Sequence, residues 1–166
     1  MLVFAVAILV VAVDQLTKTW AVRTLARRAP IHVIGSLQLA LQYNSGSAFS
    51  LGRNLGPLIG LVAAVVVVAL AFTGRGARTP TLAAIIGLLV GGAVGNLIDR
   101  GFRAGLAGKS GFLHGAVVDF IDLQWWPVFN VADASIVVGG VLLALTGLRG
   151  ETGSSRGRAG GRGRAG

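Results

Sequence analysis

Four long apolar runs set the pattern of this chain. They carry almost no charged residues, and shorter polar or glycine-rich stretches separate them. A spanning helix needs about 20 apolar residues, whereas the strands of a membrane barrel are shorter and alternate. The pattern therefore predicts an all-α membrane protein with four transmembrane helices. These spans are expected at about residues 1–22, 56–73, 80–98 and 130–148.

The stretches between the runs predict two regions outside the membrane. Residues 29–53 are too polar to span, and they alternate in part between apolar and polar side chains. We interpret them as a small β-cradle at the interface. Residues 101–126 begin with a glycine-rich stretch and form a second loop. We expect one integral membrane domain over residues 1–150 and a disordered Gly/Arg-rich tail over residues 151–166.

The composition agrees with a membrane protein and excludes several kinds of site. Hydrophobic residues make up 54% of the chain and charged residues 13%, whereas a soluble domain has about a quarter charged residues. The absence of cysteine excludes disulfides and thiolate nucleophiles. His32 and His114 alone provide too few ligands for a zinc site, so we expect no metal and no cofactor.

The positive charge bears on orientation. The termini and the link between the second and third runs hold seven Lys and Arg residues, and the two longer loops hold eight. This count therefore does not decide which side of the membrane is cytoplasmic. The basic tail and the Arg75/Arg78 pair in the short link favour cytoplasmic termini. We attribute the tail's charge to contact with anionic lipid rather than to nucleic-acid binding.

The acidic residues are few, and their positions indicate function. Five of the six are aspartates that lie in or beside apolar runs, where a carboxylate is costly and usually marks a working site. Asp14 and Lys18 are spaced i,i+4 and can pair on one helix face, either to orient the helix end or to support a site.

Asp119 and Asp133 form the strongest candidate pair. Asp133 is expected about one turn into the last helix, near an N-cap at Asn130, which favours its ionised form. The apolar neighbours of Asp119 favour its protonated form. Such a pair can share one proton and hydrolyse a peptide by general acid/base catalysis of water. Asp122 is a rival for Asp119 on spacing alone.

Structural roles are the alternative for each of these residues. Asp133 can simply cap its helix, and Asp99 or Asp119 can pair with Arg100 or Arg103. A proton-coupled transporter and a non-catalytic lipid-binding scaffold are the competing functions. The aspartates gather near one side of the apolar runs, with no polar path through them, and this disfavours transport.

Five motifs resemble the lipoprotein signal peptidase (signal peptidase II) family, a group of bacterial membrane aspartyl peptidases. They occur in order over nearly the whole chain, which makes the resemblance specific. The motifs are DQLTKTW at 14–20, YNSGSAFS at 43–50, GGAVGNLIDR at 91–100, VVDFID at 117–122 and FNVADASI at 129–136.

This resemblance implies an activity and a site. It implies cleavage of the signal peptide from diacylglyceryl-modified prolipoproteins, just before the lipidated cysteine, without a cofactor. It also implies that Asp119, and not Asp122, is the partner of Asp133. The implied substrate-binding or supporting residues are Asp14, Asn44, Asn96, Asp99, Arg100 and Asn130.

The resemblance also implies partners and a location. The partners are the lipidated substrate, membrane lipids and globomycin-type inhibitors, and the enzyme is expected to be a monomer in the bacterial inner membrane with its site facing outward. Ser47 and the long stretch 101–114 depart from the family pattern. We further hypothesise that a stripe of glycines, Gly87, Gly91 and Gly95, lets the signal helix or a neighbouring span approach closely.

Overall fold

The chain is mostly helical, with one small sheet. A computed structural model describes residues 1–45, 56–103, 113 and 115–159, with only the backbone described at residues 56, 59 and 148–159. The elements of the described part are α1 (Leu2–Leu25), β1 (Ile31–Ile34), β2 (Leu37–Asn44), α2 (Gly56–Gly74), α3 (Pro80–Phe102), β3 (Val117–Asp122) and α4 (Val131–Ala159).

Two helices are long and apolar enough to cross a membrane, namely α1 and α3. The other two contain shorter apolar stretches, Gly60–Gly74 in α2 and Val131–Gly147 in α4. The helical class with a small sheet is thus confirmed, and the helices lie where the apolar runs predicted them. The number of membrane spans stays a prediction.

Helix α3 lies at the centre of the bundle, in contact with α1, α2 and α4. Its glycines permit this close packing: a Cβ atom at Gly91 would lie 2.7 Å from Cβ of Val10 on α1, and one at Gly92 would lie 2.5 Å from the carbonyl oxygen of Ala132 on α4. Real Cβ atoms do not come this close, so only glycine fits. The glycine stripe therefore packs against neighbouring helices of this chain.

The start of α3 is fixed by local chemistry. The Thr79 hydroxyl accepts a hydrogen bond from the Leu82 N–H at 3.2 Å, and Pro80 follows at the first helical position, where its missing N–H costs nothing. Only a few residues separate this cap from the end of α2 at Gly74, so α2 and α3 pack together as an antiparallel hairpin.

The sheet is antiparallel with strand order β1-β2-β3. Strands β1 and β2 come from the region predicted to form a cradle, of which residues 46–53 lie outside the described residues. Strand β3 comes from the second loop and was not predicted as a strand. It pairs with β2 so that Asp119 lies opposite Gln42 and Asp122 lies opposite Gln38.

One aromatic side chain attaches the sheet to the helices. Phe120 of β3 is buried in a cluster with Ala21 and Leu25 at the end of α1. The Trp20 ring meets Phe120 edge to face, with 6.4 Å between the ring centroids. This contact holds β3, and with it Asp119, beside the last turns of α1.

Helix α4 extends further than the predicted span. Its backbone is helical to Ala159, which includes part of the segment expected to be disordered. Extending an existing helix avoids the costly nucleation step, so a segment of weak helix formers can continue it. The rest of the expected tail, residues 160–166, lies outside the described residues, as do most of residues 104–114.

Candidate active site

A tight return of the chain brings β3 to the start of α4. The backbone of Phe129 pairs with Ile121, at 3.0 Å and 2.9 Å between the bonded nitrogen and oxygen atoms. The intervening turn begins with the Asp122 carboxylate, which accepts a hydrogen bond from the Gln124 N–H at 2.6 Å. The return places Asn130 and Asp133 next to Asp119.

Asn130 and Asp133 form a reciprocal cap at the start of α4. The Asn130 Oδ1 accepts from the Asp133 N–H at 2.9 Å, and the Asp133 Oδ2 accepts from the Asn130 N–H at 3.2 Å. This capping box satisfies two backbone donors and fixes both side chains. Asp133 therefore does cap its helix, but its second oxygen, Oδ1, remains available to other groups.

Asn130 links the two candidate catalytic residues through its side chain and its backbone. Its Nδ2 donates to Oδ1 of Asp119 at 2.6 Å, while its Oδ1 and backbone N–H bind Asp133. Asn96 completes the arrangement, since its Nδ2 donates to Oδ1 of Asp133 at 2.8 Å and its Oδ1 accepts from Asn130 at 3.2 Å. Asp119 and Asp133 thus share one buried amide.

The two carboxyl groups experience different surroundings. Asp119 is 2% exposed, and this burial, together with the charge of Asp133, raises the pKa of Asp119 to about 6. Hydrogen bonds from Asn130 and Asn44 and the charge of Lys18 oppose the rise without cancelling it. Asp133 is partly exposed and accepts two N–H donors at a helix N-terminus.

Asp122 lies on the same strand as Asp119 but outside this arrangement. It accepts hydrogen bonds from the Gln38 side chain at 2.6 Å and from the Gln124 backbone. These two bonds hold the pKa of Asp122 below its usual value. Both bonds hold the Asp122 carboxylate at the turn, so Asp122 is not part of the arrangement that joins Asp119 to Asp133.

A second cluster of charges lies beneath the carboxylates, between α1 and α3. The Lys18 Nζ is 2.8 Å from Oδ2 of Asp14 and 3.0 Å from Oδ2 of Asp99, and all three side chains are fully buried. Arg103 pairs with the other oxygen of Asp99 at 2.8 Å, and Gln15 donates to both aspartates. The predicted Asp14–Lys18 pair is present, and so is the structural pair of Asp99 with Arg103.

This cluster holds the site elements in place. Asp14 accepts from the Ala132 N–H of α4 at 3.0 Å, and Asp99 accepts from the Val118 N–H of β3 at 3.1 Å. Lys18 donates to Oδ1 of Asn96 at 2.9 Å. Each carboxylate of the cluster therefore binds the backbone within one residue of Asp119 or Asp133, and removing either leaves buried groups unpaired.

Arg100 is a further charged group near the pair. Its side chain is 7% exposed and lies within electrostatic range of Asp119, Asp133 and Asp99. Its Nη1 has no hydrogen-bond partner among the described residues. A buried guanidinium nitrogen left in this way is available to an acceptor from a ligand.

Two clefts open beside the carboxylates and meet at Trp126. One, of about 530 Å³, is lined by Asp119, Asn44 and residues of the turn. The other, of about 390 Å³, is lined by Asp133 and by apolar side chains that include Phe129 and Val137. A polar cleft therefore opens beside Asp119 and an apolar cleft beside Asp133.

The predicted site residues gather around the start of α4 and the end of α3. Asn44, Asn96, Asn130 and Arg100 surround Asp119 and Asp133, and Asp14 and Asp99 lie one layer beneath. The prediction omitted Lys18 and Gln15 from the site, although the i,i+4 spacing of Asp14 and Lys18 signalled the first. Ser47 lies outside the described residues, as do residues 104–112 and 114 of the stretch 101–114.

Comparisons with known proteins agree with one another. The family model described as signal peptidase (SPase) II matches residues 6–149. A protein of Rhodococcus jostii named lipoprotein signal peptidase is 44% identical over 90% of this chain and 74% of its own length. A protein of Mycobacterium avium with the same name is 43% identical over 90% of this chain and 80% of its own length.

Solved structures give the same result. A bacterial membrane enzyme solved at 1.9 Å superposes with a TM-score of 0.71 and 27% identity, over 87% of this chain and 90% of the other. A second, solved at 2.3 Å, gives a TM-score of 0.70 and 28% identity over 89% and 87%. Together with the family match, these likenesses show that the chain belongs to the signal peptidase II family of bacterial, membrane-embedded aspartic-type peptidases.

Proposed function

We propose that this protein cleaves the signal peptide from diacylglyceryl-modified prolipoproteins, just before the lipidated cysteine, with Asp119 and Asp133 as its catalytic pair. Family membership supports prolipoprotein signal peptides as the substrate class. The observation that carries the assignment is that Asn130 binds both carboxylates, since its Nδ2 donates to the Asp119 carboxylate and its backbone N–H donates to the Asp133 carboxylate.

The two environments divide the acid and base roles. Asp119, buried and with a raised pKa, is the protonated member and donates to the oxygen of the scissile carbonyl. Asp133, which accepts N–H donors from Asn96 and Asn130, is the ionised member and takes a proton from the attacking water. The tetrahedral intermediate then collapses as a proton passes from the pair to the departing amine nitrogen.

The neighbouring groups and clefts bind the substrate. Arg100, with one nitrogen unpartnered among the described residues, donates to a substrate carbonyl, and Asn44 at the edge of the polar cleft binds the peptide backbone. The apolar cleft beside Asp133 accommodates hydrocarbon from the lipidated cysteine or the signal helix. The cradle of residues 29–53 and the loop of residues 101–126 are proposed to clamp the lipid-bearing end, and an unchanged KM after deletion of residues 106–110 would remove the role of the loop.

We also propose how the chain is oriented in the membrane. All four helices span the membrane, both termini lie in the cytoplasm, and the carboxylates lie at the outer interface, where a lipidated cysteine is presented. The chain has no cysteine, so single cysteines at Gly76 and Gln124 can be labelled with a membrane-impermeant maleimide in intact cells. We expect labelling at position 124 and protection at position 76, and the reverse pattern would overturn this orientation.

A cleavage assay with purified protein tests the function. Diacylglyceryl-modified precursor is expected to be cut before the modified cysteine, and the unmodified precursor is not. Asp119→Asn and Asp133→Asn each abolish turnover and keep globomycin binding, which reports on folding. Asp122→Asn, on the same strand but bound to the turn, retains activity. Near-normal turnover by either variant of the pair would disprove the assignment.

A further inference from the structure

The buried ammonium of Lys18 makes one contact that charge pairing does not require. Two carboxylates, Asp14 and Asp99, already balance its charge. Its third partner is a neutral oxygen, Oδ1 of Asn96, at 2.9 Å. An ammonium can only donate hydrogen bonds, so this contact fixes which end of the Asn96 amide faces α1.

The orientation of that amide matters for Asp133. Asn96 lies between Lys18, which can only donate, and the Asp133 carboxylate, which accepts at 2.8 Å from the amide nitrogen. With the amide reversed, its N–H₂ group would face the ammonium and its oxygen would face the carboxylate, and both contacts would be repulsive. An N–H donor at Oδ1 favours the ionised form of Asp133.

We propose that Lys18 is a positioning residue for catalysis, which acts through Asn96 to keep an N–H donor on the base, Asp133. This inference rests on the proposed function and adds a residue to it. The Lys18 side chain is fully buried and lines neither of the two clefts beside the carboxylates. It therefore does not touch substrate and reaches Asp133 through Asn96.

Other charged groups face the same residues and enter the pH dependence. Asp133 lies within electrostatic range of Asp119 and Arg100, and Lys18 interacts with Asp119 as well as with its two partners. Arg103 is held at Asp99. The groups around Lys18 and Asp133 in the described residues are Asp14, Asp99, Arg100, Arg103 and Asp119.

The first test compares two variants that differ only at Lys18. Lys18→Met alone would leave Asp14 without its ammonium partner, so it is combined with Asp14→Asn, and Asp99 keeps its pair with Arg103. The reference is Asp14→Asn alone, in which Lys18 still binds Asn96. We expect the double variant to have a kcat about tenfold to a hundredfold below the reference, the worth of a hydrogen bond to a charged group.

The pH profile separates positioning from a purely structural role. In the double variant the acid limb of kcat/KM moves to higher pH than in the reference, because the ionised base has lost its oriented donor, and KM stays unchanged. Equal kcat and equal acid limbs in folded samples of both variants would overturn the proposal. Wild-type protein measured alongside distinguishes this failure from a failure of the proposed function, in which it would not cut lipidated precursor at all.

A second variant decides the matter if the double variant does not fold. Asn96→Asp keeps the acceptor for Lys18 and all the ion pairs of the cluster, but replaces the donor to Asp133 with an oxygen. Loss of kcat together with the same shift of the acid limb supports the proposal. Wild-type kcat with an unshifted acid limb would show that Asp133 needs no donor from position 96 and would overturn it.

Discussion

Replacing Asp119 with asparagine is expected to stabilise the protein while it abolishes catalysis. Burial raises the pKa of this carboxyl from 3.8 to about 6, so its ionisation in the folded protein costs about 3 kcal/mol relative to the unfolded chain. Asparagine cannot ionise, and its Oδ1 can still accept from Asn130. The substitution therefore removes the cost and keeps the 2.6 Å hydrogen bond.

The sign of the effect depends on pH. Below about pH 4 the Asp119 carboxyl is protonated in both states, and wild type and variant are expected to be equally stable. As the pH rises from about 4 to about 6, the unfolded chain ionises this carboxyl while the folded wild type keeps it protonated, so wild type loses stability and the variant does not. At pH 8 the full difference of about 3 kcal/mol is roughly 6–12 °C in Tm for a chain of this size.

Thermal unfolding in detergent at pH 4 and pH 8 measures this difference. Asp122→Asn is the matched control, because its carboxyl lies on the same strand and its pKa is lowered by hydrogen bonds. That variant is expected to melt at or below wild type at pH 8. This prediction fails if Asp119→Asn melts no higher than wild type at pH 8, or if it melts higher by the same margin at both pH values. Either result would show that ionisation of the buried Asp119 does not destabilise the folded protein.

Three further predictions concern packing, capping and the pH profile. Gly91→Ala is expected to lower stability by about 1–3 kcal/mol, since the new Cβ would meet Val10, whereas Gly140→Ala, with no atom within 4 Å, is neutral or stabilising in thermal unfolding. Asn130→Ala loses the cap of α4 and the bond to Asp119, so it is expected to lose about 1–2 kcal/mol and nearly all kcat, and normal turnover would contradict the bridging role. The kcat/KM of wild type is expected to fall as the pH rises through about 6, where the free enzyme's Asp119 loses its proton; a flat profile from pH 6 to 8 would contradict its role as the acid.

The residues of the candidate site could be named from the sequence because charge is costly in an apolar chain. Asp14, Asp99, Asp119 and Asp133 stand out wherever hydrophobic runs are long, since each must be stabilised by something specific. The ordered motifs that contain these aspartates then indicated the family. Residue chemistry alone left Asp119 and Asp122 as rivals, because the strand period and the turn that separate them are not visible in the spacing.

The helices were predictable for the same local reason, and the third strand was not. An apolar run of about 20 residues in hydrocarbon forms a helix whatever the rest of the chain does, because its backbone groups must bond within their own segment. Strand β3 exists only because β2 offers it a partner and Phe120 finds a pocket beside Ala21 and Leu25. Those contacts join parts of the chain far apart in sequence, which a local pattern does not specify.

The sequence by itself thus determined the apolar helices, the aspartic-type class of peptidase and the aspartates that we propose carry its chemistry. Only the tertiary structure decided how those aspartates are used: that Asn130 binds Asp119 and Asp133 together, that Lys18 orients Asn96, and that Asp122 is occupied by the turn. The physical reason is range. Hydrophobicity and helix formation act over one segment, whereas the direction of a hydrogen bond depends on which distant donor the fold brings within about 3 Å.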